Sequence, residues 1–207
     1  MVVVEKIEEA KYFLDKIKNA VQRKDFTPNL SAFLCATRSI PDYLLEDYNI
    51  KYGLRISLKD ELYIPKFEKV AREKNNPNAI AFIKGYNKAF KKVKKDEIGK
   101  LLLYKRNIKV HRTDIPIQAS FSVSHGENVD SHDSVAMEVR HEYGNLKKKS
   151  SSRDDKDNKP ELKKQSTSNT KVKWFFEDYK GVDVVELCEE FLKLMKNFAE
   201  NVTTKFP

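Results

Sequence analysis

From Val3 to Ile108 large apolar residues return every three or four positions, and only a helix turns that spacing into one continuous face. Ile7, Ala10, Phe13, Leu14, Ile17 and Val21 predict a first amphipathic helix, broken at Asp25-Phe26-Thr27-Pro28. A second helix is expected from about Asn29, with Thr27 or Asn29 as its cap. It carries Leu30, Phe33, Leu34, Thr37, Leu44, Leu45 and Tyr48, with a kink expected at Pro41. The stretch from Gly53 through Leu54-Arg55-Ile56 reads as a connection, and a weaker helix should run from Glu61 to Lys74. Asn75-Asn76-Pro77-Asn78 punctuates the chain before a helix with Ile80, Phe82, Ile83, Tyr86 and Phe90 as its core positions. Asp96 then opens another, through Ile98, Leu101, Leu102 and Ile108.

After Arg112 the period falls to two. Ile115, Ile117, Ala119, Phe121 and Val123 alternate, then Val135, Met137 and Val139, which predicts a hairpin joined by a long polar loop. From Asn145 to Thr170 the composition collapses to Lys, Ser, Asp, Asn and Gln, the signature of a disordered linker. Beyond it Val172, Trp174 and Phe176 alternate as a third strand, where aromatic residues are more often sheet core than base-stacking platform. Val184, Cys188, Phe191, Met195, Phe198 and Val202 mark a closing helix. The expected architecture is mainly α: a helical bundle over 1–112, a β-hairpin extension over 113–144, a linker over 145–170, and a strand plus C-terminal helix over 171–207 packing back on the bundle. The last assignment follows because one strand and one helix cannot bury their apolar faces alone.

Composition narrows the function classes. At 207 residues, 40% of them hydrophobic, the chain has enough apolar matter for one sizeable core. No apolar stretch approaches the ~20 residues that span a bilayer, and Glu5-Lys6 interrupts the opening valines, so neither a membrane span nor a secretory signal is read and a cytoplasmic location is expected. Cys35 and Cys188 sit in apolar helical patterns and read as buried thiols. His125, Asp130, His132 and Asp133 lack the rigid spacing of a metal site, so no metal or other cofactor is expected.

Forty basic residues against thirty-one acidic ones give a net charge of +9. Ala79 to Arg112 alone holds eleven bases and two acids, so this segment contains the entire surplus. A local field of that kind attracts polyanions through counterion release, and Lys91, Lys92, Lys94, Lys95, Lys105, Lys109 and Arg112 become candidate nucleic-acid contacts. The competing reading is a solvated helix face rich in lysine.

The same segment contains Arg106-Asn107-Ile108-Lys109-Val110-His111: an arginine, a polar residue directly after it, and a histidine five positions beyond the arginine. Together with the helix Leu30 to Ser39, this resembles the HEPN superfamily, and the likeness covers the chain up to Arg112. The tail Trp174-Phe175-Phe176-Glu177-Asp178-Tyr179 has the general look of some uncharacterised members. The resemblance implies an all-α bundle that pairs as a two-fold homodimer, and a metal-independent endoribonuclease of toxin or defence systems, with an antitoxin or a small nucleotidyltransferase as partner. It also implies that Arg106, Asn107 and His111 are the catalytic residues.

Those residue types suit RNA cleavage by the ribose 2′-hydroxyl. His111 can move protons near its ordinary pKa of ~6.5. Arg106 offers a permanently charged fork for phosphoryl oxygens, and Asn107 can orient either the imidazole or the phosphate. Five residues along a regular helix separate two side chains by about 140°, so convergence requires either a loosened helix or two motifs facing each other across a dyad. The alternative is a non-catalytic dimerisation or RNA-binding module in which Arg106 and His111 hold an interface or a helix end. Arg38, within an apolar helix, is expected to form a buried pair with Asp42, Glu46 or Asp47 rather than to act in the site.

Overall fold

The three-four spacing of the first half becomes five helices in the computed structural model, which describes residues 2–57, 62–111, 115–124, 169–179 and 181–207. They are α1 (Val2–Lys18), α2 (Arg23–Lys51), α3 (Ile64–Glu73), α4 (Pro77–Lys95) and α5 (Glu97–His111). Strands β1 (Ile117–Ser124) and β2 (Asn169–Phe176) and helix α6 (Val184–Lys205) complete the described elements. The protein is mainly helical with a small antiparallel sheet. Among the described residues no helix is long and apolar enough to cross a membrane.

The first helix ends at Lys18, short of Val21, the third runs Ile64–Glu73 within the expected 61–74, and the largest shift is in the second. Helix α2 begins at Arg23, not near Asn29, and runs unbroken through Pro28 and Pro41. Pro28, the sixth residue of the helix, gives up the one bond an N–H there would make to the Lys24 carbonyl. Phe26, fully buried in that first turn, stacks on Trp174 with ring centroids 4.3 Å apart, and this burial outweighs the proline. At the opposite end of the helix hairpin, Asp47 of α2 accepts the Val2 and Val3 backbone N–H groups at 2.9 and 3.0 Å, capping α1 with a negative charge.

The untyped connection after α2 is fastened by a buried amide. Asn49 donates to the Ile56 carbonyl at 3.0 Å and accepts the Ile56 N–H at 3.1 Å, while Lys74 donates to the Gly53 and Leu54 carbonyls. Asn76 caps α4, accepting the Ala79 N–H at 3.0 Å, with Pro77 at the first helical position. Asp96 caps α5 through the Ile98 and Gly99 N–H groups. The turn between these helices is tight enough that a Cβ on Gly99 would collide with the Val93 carbonyl oxygen.

Strand β1 has β2 as its described partner, with Ile117 opposite Phe176 and Ala119 opposite Trp174. The hairpin partners expected for β1, Val135, Met137 and Val139, lie outside the described residues, as does the expected linker except for Asn169 and Thr170, which belong to β2. Small Ala119 leaves room for the facing indole. Trp174 is 3% exposed, and its Nε1–H donates to the Ala20 carbonyl at 3.2 Å. It is therefore core, as its alternation predicts. Helix α6, capped by Asp183, packs against α1, α2, α4 and α5, so a single hydrophobic core draws on the helices and on both strands. Cys188 is buried in that core, and burial pushes its thiol up; Cys35 is only half-buried, contrary to expectation.

Candidate nucleic-acid interface

The basic segment divides into two helices built on different plans. At about 100° per residue, the six lysines of α4 at positions 84, 88, 91, 92, 94 and 95 fall within an arc of about 160°. The buried residues Ala79, Phe82, Ile83, Tyr86, Phe90 and Val93 occupy the opposite arc. Tyr86 and Phe90 are thus core positions, and Lys91, Lys92, Lys94 and Lys95 are all exposed. Lys92, Lys94 and Lys95 lie in the last turn, where the helix dipole favours cations. Lys94 also lies over the Phe90 ring, 4.8 Å from its centroid.

Helix α5 mixes what α4 separates. Lys105 is fully buried, its ammonium bonded to the Asp178 carboxylate after β2 and lying 4.7 Å from the centroid of the Phe176 ring. Its charge suggests a nucleic-acid contact; instead Lys105 ties α5 to the end of the sheet and leaves no proton free at the surface. Its neighbour Arg106 is half-buried. The Nη1 group donates to Asn107 Oδ1 at 3.4 Å, and Nε is shut off from solvent with no partner among the described residues. Nor does a carboxylate pair with Arg106 among the described residues, unlike Arg38, Arg72 and Lys105. Asn107 is exposed.

The described part of His111 is its helical backbone, at the last residue of α5; the side chain of Lys109 and the whole of Arg112 lie outside the described residues. Position 111 lies four residues beyond Asn107, on the row of Lys100, Tyr104 and Asn107. Arg106 projects from the side of Leu102 and Gly99, about 140° away around the axis. The helix stays regular through Ile108 and Val110. The loosening considered from sequence does not occur.

Arg38 pairs with Asp42 at 3.0 Å, but at the surface, with 31% and 57% of the two side chains exposed. It is also 5.9 Å from the Phe90 ring centroid. His125, Asp130, His132 and Asp133 lie outside the described residues; among the described residues no group of three or more His, Cys, Asp or Glu could hold a metal. Two residues have no individual role in the sequence reading. Asp178 has no local signal, because its partner is 73 residues away. Tyr104, 56% exposed, ends the apolar run Leu101-Leu102-Leu103, and only its helical phase with Lys100 sets it apart.

No family model, curated protein or solved structure matches the chain.

Proposed function

We propose that this chain is a HEPN-like RNA-binding protein of the toxin or defence type and a metal-independent endoribonuclease. The observation that carries the reading is the Arg106 guanidinium, a half-buried cation that among the described residues has no carboxylate partner and bonds to the adjacent Asn107 of the same Arg-Asn-x-x-x-His motif. A cation so placed is suited to neutralise a phosphodiester. The exposed lysine face of α4, next in the chain, supplies the field that draws a polyanion toward it.

In this reaction His111 takes the proton of the ribose 2′-hydroxyl, the oxygen attacks the adjacent phosphorus, and the bond from phosphorus to the 5′-oxygen breaks. A second imidazole, or the same one after exchange, returns a proton to the leaving 5′-oxygen. Arg106 and Asn107 bind the nonbridging oxygens as charge builds on them. Because Arg106 and position 111 lie on different sides of α5, the pocket is assembled by two copies across a dyad. An antitoxin or nucleotidyltransferase partner, with the pair acting in the cytoplasm, is the arrangement the family resemblance implies. The same angular separation favours the second reading, a non-catalytic dimerisation or RNA-binding module in which the motif holds the interface.

Incubation of labelled RNA with the protein in EDTA separates the two. The nuclease leaves 2′,3′-cyclic phosphate ends, and Arg106→Ala and His111→Ala each lower the rate by about 100-fold or more. RNA binding without cleavage assigns the protein to the module class, and no binding at all overturns the nuclease and leaves only the dimerisation module.

A further inference from the structure

Lys100, Tyr104 and Asn107 stand at four- and three-residue spacing on the exposed side of α5, so they form one row with Cβ atoms about 5–6 Å apart. Tyr104 is the unusual member. A phenol ring 56% exposed on a helix that buries Lys105 beside it is not placed there by core packing. Tyr12, equally exposed, is used within the fold: its ring meets Phe13 edge-on at 5.3 Å and Lys16 lies 5.1 Å from its centroid. Tyr104 has neither ring nor cation partner among the described residues. It lies instead between an exposed ammonium and an exposed amide, the latter bonded to Arg106.

We infer that Tyr104 is a stacking platform for one unpaired nucleobase of single-stranded RNA, with Lys100 on the adjoining phosphate and Asn107 beside the base. The inference rests on the RNA-binding reading above and gives it a substrate class. A bare ring between a cation and an amide is the composition that grips a single strand, because every base has a face to stack while a duplex hides its own. The face would then select unpaired over paired RNA at this position.

The test uses the full chain and a fluorescent 2′-O-methyl oligoadenylate, which lacks the attacking hydroxyl and so survives in either functional class. Tyr104→Ala should weaken binding about tenfold, and Tyr104→Phe, which keeps the ring, by less than about twofold. Neither should change the salt dependence, since the phosphates remain neutralised as before. Undiminished binding by Tyr104→Ala overturns the stacking role while leaving the RNA reading intact. Equal losses on a duplex probe overturn it too, as does a change in sedimentation, which would mark Tyr104 as a contact between copies. If the unmodified chain binds neither probe, the RNA reading and the stacking role fall together.

Discussion

Helices α4 and α5 adjoin in the chain and hold much of its positive charge, yet they distribute it by opposite rules. In α4 each lysine is on the solvent side and each large apolar residue at or near the core, so position in the sequence predicts environment. In α5 a lysine is buried, an arginine is half-buried without a carboxylate partner among the described residues and a tyrosine is left outside. The first pattern is what solvation alone produces. Local exceptions to patterning concentrate where a protein binds or is specifically held together, so α5 and not the more heavily charged α4 is the place to look for specificity.

The contrast breaks most sharply at Gly99, where α5 leaves α4. A methyl group there meets the Val93 carbonyl and, at 3.1 Å, the Leu194 side chain, so Gly99→Ala should destabilise by about 3 kcal/mol in urea unfolding. Substituting exposed Lys88 of α4 with alanine should leave stability within about 0.5 kcal/mol.

The Lys105 pair should respond unequally. Asp178→Ala leaves a buried ammonium without its counter-charge and should cost about 2 kcal/mol. Lys105→Met fills the same space with an apolar chain, and the Asp178 it abandons is 58% exposed and can be hydrated, so the loss should be clearly smaller. Equal losses would mean that the pair is held by packing rather than by charge.

Alkali tests the buried side of α4. Burial, and secondarily Asp42, raises the Tyr86 phenol above its ordinary 10.0, opposed by Arg38. The folded protein therefore keeps a proton that the unfolded chain releases. Stability is fully present below pH 10 and falls as pH rises beyond it, by about 1.4 kcal/mol per unit while the phenol stays protonated. Tyr86→Phe, which also gives up a bond to the Pro41 carbonyl, should flatten that decline.

The smallest effect on the fold belongs to the lysine face. Replacing Lys91, Lys92, Lys94 and Lys95 with glutamine should leave unfolding within about 0.5 kcal/mol and, if they meet phosphates, lower the salt slope of RNA binding by about 0.7 for every phosphate no longer neutralised. An unchanged slope would confine recognition to α5.

The helical half was legible because its signals are local: three-four spacing, the Asn76 and Asp96 caps, and Pro77 at a helix start. The start of α2 was not, because Phe26 is held by Trp174, and no window of sequence joins them. The partner of β1 was hidden for the same reason. In the candidate site the motif could be read residue by residue, whereas the burial of Lys105 depends on Phe176 and Asp178 arriving at the end of β2, more than 70 residues on. Sequence charge counted Lys105 among the available cations; topology removed it.

The Trp174 indole reaches the Ala20 carbonyl across 154 residues, and the Tyr48 hydroxyl reaches Phe206 across 158. A growing polypeptide therefore cannot seal the first helical hairpin until Trp174 and Phe206 have left the ribosome, and Phe26 waits uncovered in the meantime. Closure over so long a separation leaves apolar surface of the nascent bundle open to chaperones, and delays any activity assembled on α5 until α6 has emerged.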